Sequence, residues 1–307
     1  MTTAFISHPD CARHEMGAGH PECPARLSAI SDQLIASGLD VLLRHYQAPL
    51  ATLAQLSRVH DEEYIESIFQ LAPKAEKLVW IDPDTAMNKH TLTAALHAAG
   101  AVVEAVDLVM KGEVSNAFCN VRPPGHHAEH SQAMGFCFFN NIAVGAAHAL
   151  ETWGLERVAI VDFDVHHGNG TEDIFKDQPR VLLCSTFQHP FYPYSDVNCK
   201  SNHIINVPLP AGTTGDEFRR AVQTNWSRPL VKFKPQLILI SAGFDAHEQD
   251  ALANFRLKEN DYTWVTEEIK AVADEYANGR IVSTLEGGYN LSALGRSVAA
   301  HIKVLLG

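Results

Sequence analysis

The sequence has no CxxC pair and no close cysteine framework. Its six cysteines (Cys11, Cys23, Cys119, Cys137, Cys184 and Cys199) are scattered along 307 residues. A disulfide-stapled scaffold is therefore excluded, and free thiols in a reducing, cytoplasmic setting are expected. Positive charge is also short. Lys and Arg number 24 against 36 Asp and Glu, a net charge of −12. That balance argues against a general nucleic-acid or membrane-surface binder, while it permits attraction of a cationic substrate. No apolar run reaches bilayer-spanning length, and the first residues, MTTAFISHPDCARHE, lack the basic and apolar regions of a signal peptide. No internal repeat, low-complexity tract or linker breaks the chain. A single domain over residues 1–307 is expected.

Histidine is abundant, with 17 residues, several of them clustered. The rest alternates between strand and helix signals. Apolar strand candidates lie at Ala4–Ser7, Asn116–Val121, Arg157–Phe163, Arg180–Thr186, His203–Val207, Gln236–Ala242 and Arg280–Leu285. Helical spacing covers Leu27–Ile35, two short stretches within Leu50–Leu71, Thr91–Lys111, Phe138–Gly154, a short helix from Thr171, Gly215–Phe233, Lys258–Ala277 and Leu291–Leu306. WIDPDTAMN reads as a turn-rich loop. The alternation predicts an α/β three-layer sandwich around a mostly parallel central sheet.

In such sheets ligands bind beyond the carboxyl ends of the strands. Four strand candidates carry polar groups there: Arg122–His127, Asp162–His166, Asp245 and Glu286–Tyr289. The central stretch is VAIVDFDVHHGN, Val158–Asn169. Strand alternation would put Asp162, Asp164 and His166 on one face. Two carboxylates and an imidazole together are costly to bury, and a cation offsets that cost. Asp164, His166 and Asp245 make a three-ligand catalytic set that leaves a position for water or substrate. Two carboxylates and one imidazole are a less usual set for zinc, and by ligand type alone manganese or iron is also possible. The tandem His126 and His127 follow two prolines and a glycine, and one of them can serve as general base to an activated water. Each imidazole needs a partner to fix its tautomer. Asp162 is the candidate partner for His126, and Asn169 for His127. Tyr289, after paired glycines, could donate to a developing oxyanion.

Together, RPPGHHA, GFCFFNN, DFDVHHGNG, SAGFDAH and LEGGYN resemble the zinc-dependent histone deacetylase family, most closely its class II-like bacterial deacetylases and amidohydrolases. The resemblance runs from HPECPAR to the last helix and implies the arginase–deacetylase fold. It implies one Zn²⁺ on Asp164, His166 and Asp245, with His127 as general base and later acid. His126 becomes its electrostatic partner, paired with Asp162, and Tyr289 the oxyanion donor. Phe136, after Gly135, and Tyr192 would wall an acyl-lysine tunnel, with Leu252 in the gatekeeper position. Polyamine-selective members often have an acidic residue at that position. Arg26 would lie near the product-exit pocket and Asp84 would hold the substrate backbone at the rim. A K⁺ site would use main-chain oxygens of Asp162, Asp164 and His166 with Ser185 and Thr186, and a second K⁺ site would involve Phe175 and Val181. Asn169 stands where class I members have aspartate, so His127 should be less strongly polarised.

The resemblance implies a deacylase of lysine side chains in a protein or peptide, alone or as an oligomer. The alternatives are an acetylpolyamine or small-amide deacetylase, a binuclear manganese ureohydrolase on the same fold, and an inactive binding module. A binuclear site would not explain the tandem histidines or Tyr289.

Overall fold

Val, Ile, Leu and Ala fill the central strands without alternation, because both faces of the sheet are covered. The computed structural model describes residues 2–197 and 201–307. Its strands are β1 (Thr3–Ser7), β2 (Leu43–Gln47), β3 (Val79–Trp80), β4 (Ala86–Met87), β5 (Asn116–Cys119), β6 (Val158–Asp162), β7 (Val181–Gln188), β8 (Ile204–Leu209), β9 (Leu237–Ala242) and β10 (Ile281–Leu285). The helices are α1 (Ala25–Ala36), α2 (Leu53–Leu56), α3 (Glu62–Leu71), α4 (Thr91–Met110), α5 (Asn141–Thr152), α6 (Asn169–Phe175), α7 (Gly215–Asn225), α8 (Ser227–Phe233), α9 (Glu259–Tyr276) and α10 (Leu291–Leu306).

Eight strands form one sheet in the order β2-β1-β5-β10-β9-β6-β7-β8, and every pair in it is parallel. Helices α4 and α5 pack on one face, and α1, α9 and α10 on the other. This is the expected three-layer α/β sandwich. Every residue of β5, β6, β7, β9 and β10 is buried.

Several elements depart from the expectation. The edge strand β2, LRHYQ, has only Leu43 buried. A solvated edge needs no apolar run, so the pattern gave no signal. The WIDPDTAMN loop contains the antiparallel pair β3–β4, too short to show a period. Gly215–Phe233 is two helices, not one. Pro229 lies in the first turn of α8 and has no N–H to carry α7 onward, and the break falls at buried Trp226. Helix α5 begins at Asn141, because the Asn140 side chain caps Ala143 N at 3.1 Å. Helix α4 is long and apolar enough to cross a bilayer, contrary to the expectation, but 72% of its most apolar window is buried inside the molecule. The five described cysteines are free, and Cys199 lies outside the described residues.

His301 on α10 is fully buried. Its Nδ1 donates to Thr266 Oγ1 at 2.7 Å and its Nε2 accepts from Ser283 Oγ at 2.9 Å. The neutral ring is thereby satisfied, and burial lowers its pKa from 6.5 to about 3. A depressed imidazole contributes stability above its unfolded pKa and loses it as pH falls toward the folded value. His301→Gln is expected to flatten the pH dependence of the unfolding free energy between pH 6.5 and 3 by about one proton, or ~1.4 kcal/mol per pH unit. Denaturant titrations across that range check this.

Candidate active site

The four strand ends marked by polar residues belong to neighbours in the sheet, β5, β10, β9 and β6. Asp162 is the last residue of β6. Beyond it, strand alternation does not hold Asp164 and His166 in place. Successive turns do so instead: Asp164 N donates to Asp162 Oδ1 at 3.0 Å, and His166 N donates to Asp164 Oδ1 at 2.8 Å.

These turns bring His166 Nδ1 to 3.0 Å from Asp164 Oδ1 and 3.2 Å from Asp245 Oδ2. Asp245 Oδ1 accepts from Val165 N at 3.0 Å, and Asp164 Oδ2 from Gly287 N at 2.8 Å. Asp245 Oδ2 is buried without a hydrogen bond of good geometry, although His166 Nδ1 is close to it. Gly287 explains part of the EGGY turn, because a Cβ there would stand 1.9 Å from Asp245 Oδ2. Burial disfavours charge on His166, yet Asp164 and Asp245 raise its pKa to about 10. Burial followed by the Asp164 charge raises Asp245 to about 6. The cluster binds a proton tightly where a cation would replace it. An oxygen-rich set with one imidazole suits zinc and also iron or manganese.

The tandem histidines lie beside this cluster. His126 Nδ1 is 3.0 Å from Asp162 Oδ2, and its Nε2 is 3.8 Å from Asp164 Oδ1. Burial opposes its charge, but Asp164 and then Asp162 prevail and raise its pKa to about 10. His127 Nδ1 is 2.8 Å from Asn169 Oδ1. Burial, then the positive His126 and His166, hold His127 well below its ordinary value. Two adjacent imidazoles thus differ in protonation, which suits one to fixed charge and the other to proton transfer.

His127, His166 and Tyr289 line a pocket of about 150 Å³ together with Phe136, Tyr192, Leu252 and Asp84. Phe191 lines it too and stacks on His166 with ring centroids 5.5 Å apart. The sequence reading took Tyr192 alone from PFYP, whereas both rings contribute. Gly135 and Phe136 both have left-handed backbones, at φ 57° and 70°. A Cβ on Gly135 would meet the His127 ring at 2.5 Å. Phe136 N donates to Thr85 Oγ1 at 3.0 Å, which ties the β3–β4 turn to the pocket. Next to it, Asp84 is raised to about 6 by burial and neighbouring Asp82.

Arg26 is fully buried. It donates to Gly288 O at 2.7 Å and to Glu286 O, pairs with Glu22 at 3.0 Å, and stacks its guanidinium 5.0 Å from the Tyr289 ring centroid. Arg122 pairs with the same Glu22. Ser185 Oγ and Thr186 Oγ1, from β7 beside Asp162, are buried without partners. Phe175 and Val181 flank the α6–β7 connection, where Phe175 O accepts from Gln178 N at 2.9 Å and His203 Nε2 at 3.0 Å.

Sequence reasoning passed over Asp250 and Glu129, and marked Glu286 only as a polar strand end without a role. Asp250 accepts from Tyr289 N at 2.6 Å and Asn290 N at 3.1 Å through one oxygen, and from Leu252 N at 3.0 Å through the other. Glu286 accepts from Gly125 N at 2.7 Å and His126 N at 3.2 Å. Glu129 accepts from Asn169 Nδ2 at 2.7 Å. Their acidity was visible in the sequence, but apart from Leu252 their partners lie 39 to 161 positions away and only the fold joins them.

The family model described as Histone deacetylase domain matches residues 20–305. The chain belongs to the histone deacetylase family. It is 37% identical to the histone deacetylase-like amidohydrolase of Pseudomonas aeruginosa, over 89% of this chain and 73% of that protein. It is 35% identical to mouse polyamine deacetylase HDAC10, over 100% of this chain and 48% of that protein. The crystal structure of the HDA15 HD domain superposes with a TM-score of 0.93 at 34% identity, covering 100% of this chain and 90% of that one. As a histone deacetylase family member the chain is a hydrolase of amides, and the family is generally zinc-dependent.

In this family member Glu129 places a carboxylate one amide away from His127, through Asn169. Glu129→Gln is expected to lower kcat/KM by up to about tenfold, the equivalent of one charge-assisted hydrogen bond made neutral. Steady-state kinetics with unchanged zinc content check it.

Proposed function

We propose that this chain is a zinc-dependent deacylase of lysine side chains. The observation that carries this reading is the small pocket whose lining joins His127, His166 and Tyr289 to the aromatic rings of Phe136, Phe191 and Tyr192 and to uncharged Leu252. About 150 Å³ suits one extended, unbranched chain ending in a small acyl group, and it is smaller than pockets that enclose drug-sized ligands.

Asp164, His166 and Asp245 would hold the zinc, and the unpartnered Asp245 Oδ2 supports that assignment. Bound there, zinc would supply Lewis acidity, polarising an amide carbonyl and acidifying water. His127, held neutral, accepts the proton of the attacking water. His126, kept charged by Asp164 and Asp162, stabilises negative charge beside it. Tyr289, whose phenol burial holds far above its ordinary pKa, stays protonated and donates to the oxyanion. His127 then returns its proton to the leaving amine, so a carboxylate and a free lysine amine depart. Buried Arg26, beyond Tyr289, offers the carboxylate a cationic neighbour. Asp84 would orient the substrate backbone at the rim. A K⁺ ion behind Asp162, Asp164 and His166 is supported by the orphaned hydroxyls of Ser185 and Thr186.

Acetylpolyamine deacetylation is the second reading. Asp84 in the pocket lining and the net charge of −12 favour it. Turnover of an acetyl-lysine peptide against acetylspermidine, each with zinc and with a hydroxamate, separates the two. Cleavage of acetylspermidine alone would overturn the lysine reading. Leu252→Glu is expected to shift the ratio of kcat/KM values toward acetylspermidine by about tenfold, the worth of ~1.4 kcal/mol from one added ion pair. An unchanged ratio would remove Leu252 from substrate selection.

A further inference from the structure

The HPDCAR segment that follows β1 has no part in the pocket. It packs on α4, and the two elements bring together His8, Asp10 and His97. One ligand atom from each lies within 4.8 Å of the other two. His8 and His97 stack with centroids 3.4 Å apart and planes 13° apart.

The hydrogen bonds around the two rings assign their tautomers. His97 Nδ1 is 2.8 Å from Ala48 O. A carbonyl only accepts, so Nδ1 carries the proton and Nε2 a free lone pair. His8 Nδ1 accepts from Asp10 N at 3.2 Å, so its lone pair is on that atom. Both of these nitrogens lie near one carboxylate oxygen. Asp10 Oδ2 is 3.7 Å from His8 Nδ1 and 3.7 Å from His97 Nε2. Those separations are too long for hydrogen bonds. They are close to the edge of a tetrahedral zinc site with bonds of about 2.0–2.1 Å, which is ~3.4 Å. Asp10 Oδ1 is turned away and accepts from Arg13 Nη1 at 3.1 Å. The Ala48 carbonyl is the outer partner that orients a ligating imidazole.

From this geometry we propose a second transition-metal site, on His8, Asp10 and His97, taking zinc or a similar borderline divalent ion with water completing the shell. The Asp10 N–H bond to His8 would give way to the ion, and the stacked rings would swing apart so that both in-plane lone pairs reach it. This site shares no residue with Asp164, His166 and Asp245. Its ligands come from the segment after β1 and from α4, so a bound ion clamps one to the other. The clamped segment leads to His14, and the Cys11 and His14 carbonyls accept from buried Arg122 at 3.0 and 3.1 Å.

The test is metal content of the full chain, stripped with chelator, reloaded at modest zinc excess and desalted. The wild type is expected to retain two zinc ions per chain. Asp10→Asn and His97→Gln are each expected to retain one, with acyl-lysine turnover unchanged. Asp164→Ala is expected to retain one and lose turnover. Cobalt loading gives a second readout, because the visible spectrum of Asp10→Asn should lack one component of the wild type. One zinc per wild-type chain would overturn the proposal, as would two ions retained by both Asp10→Asn and His97→Gln. Retained turnover in those variants shows that they are folded, and His8→Gln replaces any variant that is not. Failure of the lysine-deacylase reading would appear separately, as absent turnover in a wild type that still binds two ions.

Discussion

Replacing His127 by glutamine is expected to lower kcat/KM on an acetyl-lysine peptide by about 10²–10⁴-fold, the usual worth of a positioned general base. The ring is not one of the proposed zinc ligands, so zinc content should stay at the wild-type value. Loss of zinc along with rate would reassign His127 to metal binding. The pH profile carries an independent sign. Burial, and then the charges of His126 and His166, depress the His127 pKa from 6.5. A bound dication acts in the same direction. The base therefore remains free as pH falls through 6.5, and the acid limb of the wild-type kcat/KM profile is expected below that value. A limb centred above it would remove His127 as the base.

Tyr289→Phe is expected to lower kcat by about 10²–10³-fold with little change in KM, as for removal of one oxyanion donor. Among the described residues the phenol has no hydrogen-bond partner that would miss it in the ground state, so the loss falls on the transition state. The ring stays in place, because Asp250 grips the Tyr289 backbone N–H at 2.6 Å and Arg26 lies against the ring face. A rise in KM with unchanged kcat would instead make Tyr289 a substrate-binding wall.

The fold class was legible because parallel strands bury both faces and leave unbroken apolar runs. β2 was not, since an exposed edge such as Arg44 and His45 carries no such mark. At the site, residue types and order revealed Asp164, His166, Asp245 and the tandem histidines. The turns that converge them could not be read from a strand period. The role of Asp250 was hidden for another reason: a lone aspartate in a polar loop looks solvated until the backbone N–H groups of residues 252, 289 and 290 are found on it. Glu22 was hidden in the same way, as its charge makes sense only between Arg26 and Arg122.

The strand order has a consequence for how the chain is made. β10, the last of the sheet's strands in chain order, sits between β5 and β9 in the middle of the sheet. Until residues 281–285 leave the ribosome, β5 and β9 each present an open, largely apolar edge. Open edges of that kind invite intermolecular pairing, and sheets built from distant segments close slowly. The nascent protein is therefore most prone to aggregate just before β10 emerges, the interval in which chaperone binding matters most.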